Sequence, residues 1–89
     1  MLEFDWDDEN LRHIARHGIT AVETEYVLTH PTIDIEVEQE YGEERFKEAG
    51  ATASGRILEV VTTWRGLKIR VVTAYDASSF VAREDHRTR

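Results

Sequence analysis

Two histidines four residues apart, His13 and His17, are the first side chains whose type and spacing suggest chemistry. On a helix, positions i and i+4 share a face, so both imidazoles can point the same way. Zinc sites use that spacing. However, the Glu of an H-E-x-x-H pattern is absent, no third ligand is indicated, and the chain has no Cys. We therefore expect no metal and no cofactor, with zinc binding by the pair as the weaker alternative.

Basic residues are concentrated in the second half of the chain. Residues 1–44 carry 13 acids and 2 bases, a net charge of −11, whereas residues 45–89 carry 9 bases and 5 acids, a net charge of +4. This asymmetry indicates one face for an anion and another for a cationic partner, or simply two solvated faces of opposite bias. The total of −7 argues against a simple nucleic-acid binder.

Acidic residues alternate along one predicted strand, and they are Asp34, Glu36, Glu38 and Glu40. Alternation on a strand spreads carboxylates out and does not bring them together around a cation. We interpret this acidic ladder as a solvated edge that resists pairing with another strand. Docking of a basic partner is the alternative.

Length and composition exclude several classes of protein. The 89 residues fit a single domain, 1–89, with 40% hydrophobic and 33% charged residues. No apolar run approaches the ~20 residues of a membrane helix, and the N-terminus lacks the basic and apolar regions of a signal peptide. The absence of Cys agrees with a reducing compartment. We expect a cytoplasmic protein with no membrane partner.

The elements that must position these side chains begin with a short strand and a helix. Residues 2–6 alternate between apolar and polar types, as a strand does. Asp7 or Asp8 is suited to cap a helix over 8–17, which Gly18 ends. The predicted buried stripe of this helix consists of Leu11, Ile14 and Ala15.

A second helix is predicted over 21–29. Thr20 and Glu23 form a capping-box pattern before it, and Pro31 ends it. We assign its buried side to Val22, Tyr26 and Leu28.

The rest of the chain predicts strands and a final helix. The strands cover 32–38, 44–52, 56–64 and 67–75, with turns at Ser54-Gly55 and Arg65-Gly66. In the first strand Ile33, Ile35 and Val37 should face inward. Residues 77–89, with Phe80 and Val81 as apolar anchors, could form a helix. The fold class is thus α+β, with two N-terminal helices packed on a curved antiparallel β-meander and a C-terminal helix.

Several segments, in this order, resemble the BrnT family of bacterial toxins. They are Trp6-Asp7, Asn10, Ala15-Arg16-His17-Gly18-Ile19-Thr20, His30-Pro31, Gly42-Glu43-Glu44-Arg45-Phe46, Gly50, Gly55-Arg56 with the 57–63 strand, and Ile69-Arg70-Val71-Val72-Thr73-Ala74. The resemblance covers almost the whole chain. It implies a RelE-like fold and a metal-independent endoribonuclease toxin with RNA as substrate. It also implies a small antitoxin partner, and the toxin would contact DNA only through that antitoxin.

The resemblance also implies roles for residues. His17 would be the general base that takes a proton from the 2′-hydroxyl, and its alternative role is to cap the end of the first helix. Arg45 and Arg70, on strands we expect to be neighbours, would bind phosphate. Their alternative is a surface ion pair with nearby carboxylates. Arg56, Arg65, Lys68 and Arg83 are further RNA-binding candidates, although a solvated Arg at a turn is ordinary.

One position departs from the family pattern. Where the family usually has Arg, this chain has Tyr75, and the basic run that follows is thinner. Tyr75 could replace the Arg as a hydrogen-bond donor or stack on a base, or it could be half-buried packing. The sequence therefore favours an endoribonuclease toxin. The alternatives are a catalytically degenerate toxin-like module that pairs with an antitoxin-like partner without cleaving RNA, and a structural domain that only oligomerises.

Overall fold

The first helix begins and ends on local signals that the sequence carries. In the computed structural model of the chain, which describes residues 2–78, α1 spans Asp8–Ala15. The Asp7 carboxylate caps it by accepting the backbone N–H of Asn10 at 2.9 Å. The helix ends two residues before the predicted 17, because Gly18 adopts a left-handed φ of 70° and the N–H of Ile19 donates back to the Ile14 carbonyl.

The second helix, α2, spans Ala21–Leu28 and opens with the predicted capping box between Thr20 and Glu23. Its buried side is only partly the predicted one: Leu28 is partly buried against the core, but Val22 is 79% exposed, and the fully buried residues are Thr24 and Val27. Thr24 can be buried because its hydroxyl donates to the Thr20 carbonyl at 2.9 Å. The buried face of α2 therefore includes the polar residue Thr24, which the spacing of apolar residues in the sequence does not identify.

Four strands follow as a meander. They are β1 (Ile33–Glu40), β2 (Glu43–Ala51), β3 (Ile57–Arg65) and β4 (Lys68–Asp76). All neighbouring pairs are antiparallel and the sheet order is β1-β2-β3-β4. The α+β class and the antiparallel meander are confirmed, and β1 with its acidic ladder is an edge strand as predicted.

A bulge in β1 changes which side chains face the core. The register shifts between Asp34 and Glu36 and leaves Ile35 without a partner. A bulge reverses the alternation of faces along a strand. The prediction that Ile33, Ile35 and Val37 share an inward face is therefore wrong, and Val37 is 60% exposed.

The predicted N-terminal strand is reduced to a single bridge. Phe4 pairs with Ile69 in parallel, through hydrogen bonds from Asp5 N to Ile69 O and from Ile69 N to Glu3 O, both 2.8 Å. The chain must then turn to cap α1 at Asp7, so no regular strand over 2–6 forms.

The core lies between the helices and one face of the sheet. It consists of Ile14, Ile19, Val27, Leu58, Val60, Val71 and Ala74. Of the stripe predicted on α1, Ile14 is buried whereas Leu11 and Ala15 are exposed, since a short helix at the sheet edge buries little surface. The Asn10 side chain fixes α1 to β4 by donating to the Val71 carbonyl at 3.0 Å.

The predicted C-terminal helix, with Phe80 and Val81, lies outside the described residues. Within residues 2–78, no helix is long and apolar enough to cross a membrane.

Candidate functional site

The sheet face opposite the core gathers the basic residues of the second half. Leu58 and Val60 point into the core, so Glu59 and Val61 point to the other face. In the register Val61 is paired with Lys47, and Glu59 with Tyr75. Strands β2 and β4 therefore place Lys47 and Tyr75 on this face, which we call the basic face and define by Arg45, Lys47, Arg65, Arg70 and Tyr75.

Tyr75 is the centre of a cluster of chemically capable side chains. Its ring centroid lies 6.3 Å from that of His17, and the Lys47 ammonium lies 5.9 Å from the Tyr75 ring centroid. The ring of His13, on α1, lies 6.2 Å from that of His17, which is two residues beyond the end of that helix. The structure thus brings together two predicted catalytic residues, His17 and Tyr75. It adds Lys47, which was not predicted as a site residue from the sequence.

Lys47 is held as a fixed cation. Its ammonium contacts the Glu36 carboxylate at 2.9 Å. This contact first, and the approach of Tyr75 second, raise the pKa of Lys47 above its usual value, while the same lysine lowers the pKa of Glu36. A protonated ammonium can stabilise phosphate charge but cannot act as a general base. The sequence signal for it was the alternation with Arg45 on one strand.

Beside this cluster lies a cleft of about 250 Å³. Its lining residues are Glu9, Asn10, His13, Glu43, Arg45, Thr63, Arg65, Arg70 and Val72. The prediction that Arg45 and Arg70 lie on neighbouring strands is wrong, because the meander places β3 between β2 and β4. They nevertheless line the same cleft, with Thr63 of β3 paired with Arg70.

Two polar atoms of this cleft lack a protein partner. Within residues 2–78, Arg45 Nε and Asn10 Oδ1 are buried and have no hydrogen-bond partner. Buried polar groups are usually satisfied. The cleft wall thus contains, in the described part of the chain, one unpaired donor and one unpaired acceptor, both shielded from solvent.

Both arginines of the cleft are already paired with carboxylates. Arg45 contacts Glu40 at 3.1 Å and Glu43 at 3.4 Å. Arg70 contacts Asp7 at 2.9 Å, and the pKa of Asp7 is lowered by the Asn10 backbone N–H and then by Arg70. An incoming phosphate must compete with these acids or use the remaining N–H groups.

Arg56 does not line the cleft. Its guanidinium donates to Asp76 at 2.6 and 3.0 Å, to the Gly18 carbonyl at 2.9 Å and to the His17 carbonyl at 3.1 Å. The ion pair lowers the pKa of Asp76 and raises that of Arg56. In this arrangement Arg56 joins the end of α1 to the sheet.

The other RNA-binding candidates have varied positions. Arg65 lines the cleft. Lys68, its partner in the β3–β4 register, is exposed and outside the cleft lining. Arg83 lies outside the described residues. No three His, Cys, Asp or Glu side chains of residues 2–78 are grouped to hold a metal ion.

Comparison with known proteins gives the chain a family. No curated protein matches the sequence. A family model described as the ribonuclease toxin BrnT of type II toxin–antitoxin systems matches residues 6–80. That range contains both helices, all four strands and every side chain of the basic face. The chain therefore belongs to the BrnT family of type II ribonuclease toxins.

Proposed function

We propose that this chain is a metal-independent endoribonuclease toxin with a RelE-like fold, and that the basic face is its active site. The observation that carries the proposal is the convergence of His17, Tyr75 and Lys47 beside an arginine-lined cleft. Cleavage of RNA without a metal needs a base, a proton donor and fixed cations, and these are the groups that converge.

The proposed reaction uses the RNA's own 2′-hydroxyl. His17 takes its proton, and the 2′-oxygen then attacks the adjacent phosphorus while the bond from phosphorus to the 5′-oxygen breaks. The Tyr75 hydroxyl donates a proton to the departing 5′-oxygen. The rings of His17 and Tyr75 have centroids 6.3 Å apart, which lets both side chains reach one phosphate. The products are a 2′,3′-cyclic phosphate and a 5′-hydroxyl.

The cations of the basic face stabilise the charge that grows on the phosphate. Lys47 stands next to Tyr75, and Arg45 and Arg70 project into the neighbouring cleft. The planar guanidinium of Arg suits two phosphate oxygens at once. Because Lys47, Arg45 and Arg70 are paired with carboxylates and the chain carries a net charge of −7, RNA binding requires these cations to exchange a carboxylate for a phosphate.

The antitoxin is the expected protein partner of such a toxin. Family membership supports this partner and supports RNA as the substrate. We propose that contact with DNA occurs only through the antitoxin and that the pair acts in the cytoplasm.

A second function is favoured by one specific observation. Arg45 and Arg70, the cations of the cleft, are paired with the chain's own Glu40, Glu43, Asp5 and Asp7. If these pairs persist against RNA, the protein is a toxin-like module that binds its antitoxin without cleaving RNA.

Cleavage of a mixed RNA substrate in EDTA separates the two functions. The purified chain should cleave, His17→Ala should lose about 10²–10⁴-fold in rate, and Lys47→Met should also be strongly impaired. His30→Ala is the matched control, because His30 lies outside the basic face. Its ring stacks on that of Tyr26 of α2, with the ring centroids 3.8 Å apart. Folded protein that does not cleave would contradict the endoribonuclease and favour the binding module.

A further inference from the structure

A second cavity lies on the helix side of the sheet, with a volume of about 310 Å³. Its lining includes Leu2, Leu28, Val37, Phe46, Trp64 and Ile69. We call this cavity the apolar groove. Val37 is 60% exposed and Trp64 is 51% exposed. The exposure of Trp64 is notable because a Trp side chain is among those with the most apolar surface to bury.

Two hairpin turns at one end of the sheet also carry exposed apolar side chains. Tyr41 lies in the β1–β2 turn and Leu67 in the β3–β4 turn, and each is 92% exposed. In a meander these two turns are at the same end of the sheet. Exposed apolar side chains that share one surface, as Val37 and Trp64 do in the groove, mark sites of protein interaction.

The lining of the apolar groove is also acidic. Asp34 and Glu48 both line it and stand directly opposite each other across β1 and β2. Like charges in that position are destabilising. Burial, and then Asp34, raise the pKa of Glu48. No ion pair links either carboxylate to a basic residue of the 2–78 segment, so a cation brought by a partner would relieve the repulsion.

We infer that the apolar groove is the docking site for a basic amphipathic segment of the antitoxin, with its apolar side chains against Trp64 and Val37 and a Lys or Arg between Asp34 and Glu48. The choice of the antitoxin rests on the proposed function. Charge complementarity favours a basic segment, because Asp34 and Glu48 are acidic. A second copy of the chain that docked through the same face would place its own carboxylates against these two. An anionic lipid surface is disfavoured for the same reason.

The apolar groove and the basic face lie on opposite sides of the sheet and share two residues. The groove opens on the helix side of the sheet, whereas the basic face lies on the other side. Glu36 and Lys47 are the shared elements, since both line the groove and Lys47 also contacts Tyr75. A partner cation near Glu36 would compete with Lys47 for that carboxylate.

The test is calorimetric binding of two synthetic amphipathic peptides to the intact chain without RNA, one built of Leu and Lys and the other of Leu and Glu. The Leu–Lys peptide should bind and the Leu–Glu peptide should not. Trp64→Ala should weaken binding about tenfold or more, Trp64→Phe should largely restore it, and Asp34→Asn should weaken it several-fold. Val22→Ala and Asp8→Asn are the controls, since they remove an exposed apolar side chain and a negative charge on the helices, outside the groove lining, and should bind like wild type.

Three results would overturn the inference. They are equal binding of the two peptides, equal losses in the groove variants and their controls, and a concentration-dependent dimer of the chain that Trp64→Ala dissociates. The last would identify a second copy as the occupant. Because no RNA is present, the inference can fail while cleavage is observed, and it can hold for a chain that cleaves nothing.

Discussion

Arg56 Nη2 donates to the backbone carbonyl of His17 at 3.1 Å, so the residue just before β3 fixes the segment that carries the proposed base. The same guanidinium holds the Gly18 carbonyl and Asp76, one residue after Tyr75. Arg56 therefore binds the backbone at His17 and the side chain next to Tyr75. The ring centroids of His17 and Tyr75 are 6.3 Å apart. We interpret it as a positioning residue for His17 and not as an RNA ligand.

Replacing Arg56 should therefore impair catalysis more than binding. We expect Arg56→Gln to lower kcat about 10- to 100-fold with a small change in KM, because a displaced base costs rate. Arg56→Lys should recover only part of the loss, since an ammonium cannot span both carbonyls and Asp76. Steady-state cleavage kinetics measure both effects. A large increase in KM with kcat unchanged would instead make Arg56 an RNA ligand.

The Arg56–Asp76 pair also gives a pH dependence. The pKa of Asp76 is lowered in the folded protein, so its stabilisation is present above the unfolded value of 3.8 and is lost as pH falls. The Tm of Arg56→Gln should thus lie below that of wild type at pH 7, and the difference should shrink in acid. Thermal melts at pH 7 and pH 3 measure this, and a gap that is constant between them would contradict it.

Arg70 should contribute to RNA affinity through phosphate contact. With a non-cleavable 2′-O-methyl RNA, Arg70→Gln should weaken binding and reduce the salt slope by about 0.7, the value for one contact to a single strand. The loss should be increased by the release of Asp7 from its 2.9 Å contact. Arg12→Gln, on the exposed side of α1, is the control with the same charge change. Equal salt slopes for Arg70→Gln and Arg12→Gln would show that Arg70 does not contact an RNA phosphate.

Glu48 should destabilise the free protein at neutral pH. Its pKa is raised in the fold by burial and by Asp34, so the stability it contributes is present below the unfolded value of 4.5 and is lost as pH rises through the folded value. Glu48→Gln should increase the free energy of unfolding by up to about 1 kcal/mol at pH 7, and the gain should vanish in acid. Urea unfolding measures it. Glu44→Gln, exposed on the same strand, should show no comparable gain.

Gly50 should not accept a side chain. A Cβ there would lie 3.0 Å from Thr32 Cγ2 and 3.1 Å from Val27 Cγ1. Gly50→Ala should cost about 1–3 kcal/mol of stability through overpacking. Val27→Ala removes one of these methyl groups, so the double variant should be more stable than the sum of the two single losses predicts. Strict additivity of the two losses would contradict the contact.

Much of the fold could be predicted because its signals are local. The Asp7 cap and the Thr20–Glu23 capping box need only residues within three positions of each other. The meander follows from short links between strands. The bulge at Ile35 and the exposure of Val22 could not be predicted in the same way, because they depend on which neighbour each side chain meets after folding.

The candidate site could be predicted only in part for the same reason. His17 and Tyr75 were identified by their correspondence to family positions, and they lie 58 residues apart in the chain. Lys47 joins them through the register of three strands, since it is paired with Val61 and Val61 with Thr73, two residues before Tyr75. That register includes a shift between Val61 and Thr62, which no periodicity in the sequence reveals.

The chemistry of the cleaved ends tests the central claim most directly. The intact chain is incubated in EDTA with an RNA and with the same RNA carrying a 2′-deoxy nucleotide at the cleaved position, and the ends of the products are identified. Attack by the 2′-hydroxyl predicts a 5′-hydroxyl and a 2′,3′-cyclic phosphate from the first RNA and no cleavage of the second. A 5′-phosphate, cleavage of the deoxy-substituted RNA, or cleavage that appears only when a divalent metal is restored would contradict it.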